Sequence, residues 1–556
     1  LSDLPPNILI IIRMLFLLPL MALAIATNVV HGSFHFNLRG LNDFKTMMND
    51  PNGASFINGK YHMCYQLSSL DKDGATAMNH SSSVDLLHWD FEEEGCMVPG
   101  PDDYDAGGVW SGGGGFVEGD ETWALSYRAR GGGSAPAAPG VAIATTTDFK
   151  TWKKDGIFFA DIGSDGLPIW TTKDGKFIAG GNDGSGKLIT YSTIASGFSS
   201  DATAWKRDDK LLFDTSTLEN WVGLQCCCPD FFPSSGSSSP DPVSDAEVKW
   251  IVKTSGYISE PKRQSTPDYF LLGTYKEGDF VPDGNRLFAV DYGAVFASQT
   301  MYDPFKNRRI LLGWTGEYNN THSIPREITT VRDGTGGDSL LFYPIEEVET
   351  TLRIGEGSVV SSFSDDFNKD DMGEQMDFLV KVNCSDWDKW STDKDAKSFG
   401  IEIRKGGKKN KNSVKIAVNN VKAGEQTNST WNSNRMDQTF RNGAGLDGAT
   451  VGVLTIDRGE DPSGGSAQMN DLRVVGGWFV LPKEGEVEIR VLVDGPLVEA
   501  FVERGRAAVT TFAPYLDSDY DPTAIGAGLF AEGDSNVSSL SEFEGVLGMG
   551  WKVKST

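Results

Sequence analysis

The chain has 556 residues, of which 77 are Asp or Glu and 50 are Lys or Arg, for a formal net charge of −27. This length predicts two to four domains with large cores. The acidic balance disfavours nucleic acid and anionic membranes as partners, because phosphate binding relies on Lys and Arg. A neutral, hydroxyl-rich ligand meets no such repulsion, and the same charge would also keep a secreted protein soluble.

The first apolar stretch, within residues 1–32, has the features of a secretory signal. Arg13 precedes Met14, a plausible true start, and the apolar run ends in the small residues Ala24-Ile25-Ala26. An uncleaved anchor is the alternative, since the run approaches the roughly 20 residues of a membrane span. Both predict a secreted, extracellular or vacuolar protein, with no membrane partner beyond such an anchor. Five glycosylation triplets fit this expectation: Asn79, Asn319, Asn383, Asn428 and Asn536.

Residues 33–350 predict an all-β propeller domain. Short runs of alternating apolar residues are separated by Gly, Asp, Asn and Ser, without a sustained helical period. An Asp-x-x-x-Trp pattern recurs at intervals of about 50 to 65 residues, a length that suits one four-stranded propeller blade. Its three copies are Asp85/Trp89, Asp148/Trp152 and Asp201/Trp205.

After residue 350 the composition changes, which predicts a second domain. Residues 351–365 and the acidic stretch that follows are polar, and we expect 351–365 to be a linker. Longer alternating segments then appear, such as "FGIEIRKGGKKNKNSVKIAV" and "GEVEIRVLVDGPLVEAFV". They predict an antiparallel β-sandwich over residues 366–556.

The six cysteines do not form a recognisable metal or protease motif. Three are adjacent, Cys226, Cys227 and Cys228, and no second cysteine pair has zinc-site spacing, so we expect no metal and no cofactor. No histidine lies near Cys227 in the sequence, which argues against a cysteine protease. Cys64 alternates like a strand core residue, and we predict that it serves packing.

The stretch "TMMNDPNG", residues 46–53, places Asp50 directly before Pro51. Asn, Asp, Pro and Gly are all turn formers, so a surface turn would explain this composition without any catalytic role. A functional interpretation of Asp50 therefore needs further motifs.

Such motifs occur in order along the chain, and together they resemble glycoside hydrolase family 32, the invertases, fructan hydrolases and plant fructosyltransferases. The resemblance runs from about residue 36 to the C-terminus and is carried by "MNDPNG" (48–53), "YHMCYQ" (61–66), "GGVWSG" (107–112), "PDFFP" (229–233), "DYGAVFASQTMYD" (291–303), "RRILLGWTGE" (308–317) and "SIPREI" (323–328). It implies a five-bladed β-propeller followed by a β-sandwich. It also implies retaining cleavage of fructofuranosyl bonds in sucrose or a β-fructan, which uses two carboxyl groups about 5 to 5.5 Å apart.

The resemblance implies roles for several residues. Asp50 matches the nucleophile, and Asp165 matches the aspartate that grips sugar hydroxyls in the transition state, although Ser164 replaces the arginine that precedes it in the family. Asp230 is expected to hold a structural or a sugar-contact role. Further residues fall on positions near the fructosyl unit: Asn49, Asn52, Gln66, Trp110 and Ser111.

The acid/base position departs from the family. Aligned on Pro229 and Asp230, the glutamate that donates the proton is replaced by Cys227, and Glu219 could substitute only by a re-routed loop. A thiol with a reference pKa of about 8.5 is a poor proton donor, and general acid/base catalysis is worth about 10² to 10⁴ in rate. Three functions stay open: an impaired hydrolase, a non-catalytic sucrose- or fructan-binding protein, and a fructosyltransferase.

Overall fold

The computed structural model describes a set of ranges that covers most of the chain. They are 33–37, 46–69, 76–92, 95–100, 104–118, 121–131, 140–172, 174–218, 225–234, 248–257, 268–276, 278–284, 288–315, 321–332, 338–407, 413–424, 449–459, 473–513, 521–533 and 543–554. The expected signal segment, Glu219 and the triplets at Asn319, Asn428 and Asn536 lie outside them. Within these ranges, no helix has the length and apolarity required to cross a membrane.

Five antiparallel sheets of four or five strands follow one another along the chain, as the blades of a propeller. Blade one contains β1 (Thr46–Ile57), β2 (Lys60–Ser69), β3 (Thr76–Ser83) and β4 (Trp89–Phe91). Blade two contains β5 (Gly108–Trp110), β6 (Gly114–Glu118), β7 (Thr122–Arg130), β8 (Gly140–Thr146) and β9 (Lys153–Phe159). Blade three contains β10 (Trp170–Thr171), β11 (Phe177–Asn182), β12 (Lys187–Thr193), β13 (Trp205–Arg207) and β14 (Phe213–Asp214).

The last two blades complete the propeller. Blade four contains β15 (Gln225–Pro233), β16 (Trp250–Tyr257), β17 (Asp268–Lys276), β18 (Asp279–Pro282) and β19 (Phe288–Ala289). Blade five contains β20 (Phe296–Asp303), β21 (Arg308–Trp314), β22 (Arg326–Arg332) and β23 (Asp338–Pro344). The first segments of all five blades line one common cavity, to which they contribute Gly53, Gly114, Ile169, Asp230 and Thr300. These segments therefore surround the propeller axis.

The repeated aspartate has the same structural role in the first three blades. The carboxylate of Asp85 accepts hydrogen bonds from the N–H groups of Leu87 (2.9 Å) and His88 (2.8 Å) and so closes the turn before β4. Asp148 and Asp201 cap the corresponding turns before β9 and β13. The repeat therefore marks the turn into the outer strands.

The C-terminal part is a sandwich of two antiparallel sheets. The six-stranded sheet has the order β24-β34-β25-β30-β31-β32, and the five-stranded sheet has the order β29-β28-β27-β26-β33. The strands are β24 (Arg353–Val360), β25 (Gln375–Cys384), β26 (Lys397–Lys405), β27 (Val414–Asn419), β28 (Val451–Asp457), β29 (Val474–Val480), β30 (Gly485–Asp494), β31 (Leu497–Val502), β32 (Ala507–Phe512), β33 (Gly526–Gly533) and β34 (Phe543–Val553). The inward residues of both sheets form one continuous apolar core.

Short helices occur at a few connections of the described chain. One α-helix, α1 (Trp387–Ser391), is capped by the Asp386 side chain, which accepts from the Lys389 N–H. A π-helix spans Val348–Leu352, and 3-10 helices span Ala202–Ala204, Thr215–Thr217 and Lys369–Asp371.

Two details differ from the sequence predictions. The segment expected to be a linker, 351–365, contains β24, which pairs with β34; most of this strand is solvent-exposed, so it carries little apolar signal. Cys64 is buried in a core, as predicted, but it also forms a disulfide with Cys96 across 32 positions of sequence. Packing alone was therefore an incomplete interpretation of Cys64.

Candidate active site

Asp50 lies in an interruption of strand β1. The pairing of β1 with β2 shifts register between Met48 and Pro51 and again after Asn52, because Pro51 has no N–H to donate to a ladder. Asn52 is fully buried, donates from Nδ2 to the Asp50 carbonyl (2.9 Å) and accepts at Oδ1 from the Gly112 N–H (3.0 Å). Asn52 thus fixes the backbone of Asp50, and its contact with a sugar stays a prediction.

The Asp50 carboxylate is held by a chain of side chains. Its Oδ2 accepts a short hydrogen bond from Ser111 Oγ, and Ser111 Oγ accepts one from Gln66 Nε2 (2.6 Å). Burial raises the pKa of Asp50 to about 7; repulsion from Asp165 adds to this increase, while the bond from Ser111 opposes it. Asp50 is therefore ionised above neutral pH and mixed just below it.

Asp165 approaches from the segment that leads into blade three. Its Oδ2 accepts a hydrogen bond from the backbone N–H of Cys228 (2.9 Å). Burial raises the pKa of Asp165, whereas the bond from Cys228 and the positive charge of Arg128 oppose this increase. Ser164, which the sequence resemblance predicts at the position of the family's arginine, has an N–H that bonds the Asn182 carbonyl (2.9 Å).

The adjacent cysteines complete the cluster from blade four. Strand β15 bulges between Cys227 and Asp230, where Cys228 adopts a positive φ of 47°. The Cys228 sulfur lies 3.5 Å from Asp50 Oδ2 and 3.7 Å from Asp165 Oδ2. Two carboxylates from different blades thus contact one sulfur.

The two thiols differ in their contacts but share a low acidity. Cys227 is half-buried, and its sulfur lies 3.5 Å from the Ser255 carbonyl. The pKa of Cys227 is lowered by its bond to Cys228, but burial and the charges of Asp165 and Asp50 outweigh this and raise it overall. The bond to Cys227 and burial raise the pKa of Cys228 well above the ordinary thiol value. Both thiols therefore hold their protons at neutral pH.

The remaining predicted residues fall into two groups. Gln66 and Ser111 belong to the Asp50 cluster, whereas Asn49 and Trp110 lie beside it and are half-buried. The Asn49 carbonyl accepts from His322 Nε2 (2.8 Å), and Arg130 lies 5.6 Å from the centre of the Trp110 ring. Asn49 Oδ1 and Trp110 Nε1 have no hydrogen-bond partner among the described residues.

Asp230 does not join the cluster. Its two oxygens accept from the backbone N–H groups of Phe231 and Thr300, each at 2.8 Å, and it borders the axial cavity together with Arg309. Of the two roles predicted for Asp230, this geometry supports the structural one.

Cys228 is the residue that the sequence reasoning missed. The sequence analysis gives Cys228 no role beyond the run of three cysteines, yet its sulfur contacts both aspartates and its N–H bonds Asp165. The signal was present in the run of three cysteines, but the spacing criteria for metal and disulfide sites do not cover adjacent residues.

The chemistry of the cluster comes from two aspartates and two thiols. Asp50 is a fixed carboxylate that can ionise near neutral pH. The like charges that add to its raised pKa come from Asp165 and Asp268, and the groups that donate to its carboxylate are the Ser111 hydroxyl and the Cys228 thiol.

Comparisons with known proteins agree with this architecture. The N-terminal domain model of glycosyl hydrolases family 32 matches residues 41–332, and the C-terminal domain model of that family matches residues 347–544. Acid beta-fructofuranosidase 2, vacuolar, from a Rosa hybrid cultivar is 26% identical over 86% of this chain and 75% of its own. Acid beta-fructofuranosidase 4, vacuolar, from Arabidopsis thaliana is 27% identical over 86% of this chain and 74% of its own.

A solved structure shows the same fold. Fructan 1-exohydrolase IIa from Cichorium intybus, in complex with 1-kestose, superimposes with a TM-score of 0.68 at 19% identity, covering 94% of this chain and 98% of that one. The five-bladed propeller and the sandwich predicted from the sequence are thereby confirmed. Since the two family models together span nearly the whole body of the protein, the chain belongs to glycosyl hydrolase family 32.

Proposed function

We propose that this protein cleaves β-fructofuranosyl bonds of sucrose or a β-fructan with retention, and that it turns over sucrose slowly. The observation that carries the proposal is the Asp50 carboxylate, half-buried and fixed by Ser111 beside Asp165. The names of the relatives support the substrate class, since they are acid beta-fructofuranosidases, and a related fold binds 1-kestose.

In the proposed reaction, Asp50 attacks the anomeric carbon of the fructosyl unit. A carbon–oxygen bond to Asp50 forms while the glycosidic bond breaks, and the departing oxygen needs a proton. Asp165 would bond sugar hydroxyls in the transition state. Water then attacks the same anomeric carbon, returns a proton to the group that protonated the departing oxygen, and releases fructose with a free Asp50 carboxylate.

Cys227 is the proposed source of the proton, and its chemistry explains the slow turnover. The raised pKa keeps the proton on the sulfur at neutral pH, but it also makes the thiol a weak acid toward a sugar oxygen. We therefore expect a loss of about 10² to 10⁴ in rate for leaving groups that need protonation.

The test compares two substrates, sucrose and an aryl fructoside whose leaving group departs without a proton. The protein should cleave the aryl fructoside much faster than sucrose, and Cys227→Glu should increase sucrose turnover by at least about 100-fold. Adding Asp50→Asn to Cys227→Glu is the control and should abolish the gain. A folded Cys227→Glu variant with unchanged sucrose turnover would refute the assigned role of this position.

A non-catalytic binding protein is the second candidate, favoured by the replacement of the acid/base carboxyl by a thiol at Cys227. Cleavage of neither substrate, with fructose or sucrose still bound in calorimetry, would establish it. A fructosyltransferase differs only in the acceptor, so sucrose incubations should also be analysed for trisaccharides.

We further propose a secreted, extracellular or vacuolar location. The Cys64–Cys96 disulfide supports it, because such bonds persist in oxidising compartments. The vacuolar designation of the relatives points the same way.

A further inference from the structure

The cluster around Cys228 contains a set of side chains that suits a metal ion. The sulfurs of Cys227 and Cys228 and a carboxylate oxygen of Asp165 all lie within 4.8 Å of one another. Asp50 Oδ2 lies beside this group of three, 3.5 Å from the Cys228 sulfur, and offers a fourth ligand atom. We infer that these four side chains bind a thiophilic divalent cation of the zinc class, with two sulfur and two oxygen ligands.

The two sulfur–oxygen distances that involve Cys228 agree with tetrahedral coordination. Zinc–sulfur bonds of about 2.3 Å and zinc–oxygen bonds of about 2.1 Å place a sulfur and an oxygen ligand about 3.6 Å apart at the tetrahedral angle. The Cys228 sulfur lies 3.5 Å from the Asp50 oxygen and 3.7 Å from the Asp165 oxygen. Two edges of the tetrahedron are therefore already formed by the protein.

The surroundings of the ligands hold them in place. The Asp165 carboxylate is oriented by the Cys228 N–H (2.9 Å), and the Asp50 carboxylate is oriented by Ser111 and, through it, by Gln66. Such second contacts usually accompany metal ligands and raise metal affinity. Asp50 and Cys227 are only half-buried, so an ion can reach the cluster from solvent.

The donor types select the ion. Two thiolates disfavour Mg²⁺ and Ca²⁺, which prefer oxygen ligands, and favour zinc and similar cations. Binding replaces the two thiol protons by metal–sulfur bonds and releases both protons to solvent.

This inference departs from the sequence analysis, which expected no metal, and it does not depend on the proposed hydrolase activity. It does predict that metal and fructoside compete, since both require the Asp50 carboxylate.

The test uses the full chain, stripped of metal and kept reduced by a phosphine, and titrates it with Co²⁺. We expect one equivalent to produce thiolate-to-cobalt charge-transfer absorption with the visible bands of tetrahedral Co²⁺, and Zn²⁺ to remove both. Cys227→Ser and Cys228→Ser should each weaken binding by roughly 100-fold or more, since even second contacts are worth 10- to 100-fold. Cys384→Ala, at a buried cysteine of β25 in the sandwich, is the control and should keep the full signal.

A further measurement keeps the test decisive if a serine variant fails to fold. Calorimetry of Zn²⁺ binding to the unaltered protein in two buffers of different ionisation enthalpy, at pH 8 where Asp50 is already ionised, gives the number of protons released, which should approach two. Absence of the charge-transfer band in the folded protein, or a band that survives in the folded Cys227→Ser Cys228→Ser double variant, would overturn the inference. Release of fewer than one proton would do the same.

Discussion

One carboxylate oxygen of Asp494 anchors residues 33–35 to the sandwich. It accepts from Ser33 Oγ (2.6 Å), from the N–H groups of Phe34 (2.9 Å) and His35 (3.0 Å), and contacts His35 Nδ1 at 2.7 Å. Burial opposes a charge on His35, but the bonds to Asp494 and Glu499 outweigh it and raise the pKa of His35 to about 9. The folded protein therefore holds a buried, charged imidazole.

This ion pair predicts that stability falls as the solution becomes alkaline. Because the folded pKa of His35 is raised above the ordinary value of 6.5, its stabilisation is complete below about pH 6.5 and is lost as pH rises through about 9. The shift of the His35 pKa from 6.5 to about 9 corresponds to about 3 kcal/mol of folding stability. Urea unfolding at pH 7.5 and pH 9.5 should show about 2 kcal/mol of that loss in the unaltered protein and a much smaller loss in His35→Gln.

The buried histidines His80 and His322 do not contribute to the loss of stability at alkaline pH. Burial lowers the pKa of His80 and of His322 to about 4, so both are neutral in the folded and unfolded states above pH 7. His88→Gln, at a half-exposed histidine beside Asp85, is the matched control and should keep the full pH dependence. If the free energy of unfolding fell equally with pH in His35→Gln and in the unaltered protein, the His35–Asp494 pair would not be charged.

The sequence located Asp50 and Asp165 but not their surroundings. The proline turn and the ordered motifs predict a nucleophile at Asp50 from local sequence, and this role stays a prediction. The contact of Cys228 with both aspartates arises where three blades meet, through a bulge and a positive φ in β15. No short sequence pattern predicts which side chains of different blades come into contact. For the same reason, the sequence did not indicate that Asp230 lies outside the Asp50 cluster.

The disulfide joins β2 to the segment that follows β4, where Met78 and Met97 also form an isolated bridge. It closes a loop across 32 positions, and both cysteines are buried in the core between blades one and two. In the chain-entropy model, closing such a loop lowers the conformational entropy of the unfolded state and so stabilises the folded protein by about 2 to 4 kcal/mol. The disulfide thus fixes the start of the second blade.

Removing this bond should destabilise the folded protein without touching the Asp50 cluster. We expect Cys64→Ala with Cys96→Ala to lower the free energy of unfolding by about 2 to 4 kcal/mol in urea titrations. Chemical reduction of the unaltered protein should lower it similarly, while Cys384→Ala should respond to reductant like the unaltered protein. A double variant with an unchanged midpoint would indicate that the bond is not formed.

Strands were predictable where apolar alternation was strong, and not elsewhere. The Asp-x-x-x-Trp repeat revealed the blades because each copy closes the same turn before an outer strand. β24 escaped prediction because its Gly and Glu residues face solvent and only two of its eight side chains are buried. Its strand character comes from pairing with β34, some 190 residues further along the chain.

The propeller and the sandwich are joined by a buried polar network as well as by apolar packing. Arg326 of β22 lies 2.9 Å from the Asp291 carboxylate and donates to Thr510 Oγ1 of β32 (2.7 Å). Its guanidinium also lies 3.6 Å from Glu499 of β31, which in turn faces His35. At Gly293 the backbones approach so closely that an added Cβ would lie 1.9 Å from the Thr510 carbonyl oxygen.

Replacing Arg326 should therefore weaken the whole molecule. Arg326→Met removes the cation from Asp291 and leaves His35 as the cation beside Glu499. Breaking a buried ion pair typically costs about 3 to 5 kcal/mol, so urea unfolding should begin at clearly lower concentration. Arg473→Met, which breaks the exposed pair with Asp457, is the control and should cost less than about 1 kcal/mol. Comparable effects of the two substitutions would mean that apolar contacts alone join the domains; a large effect of Arg326→Met alone means that the buried charges are needed to hold blade five against the sandwich.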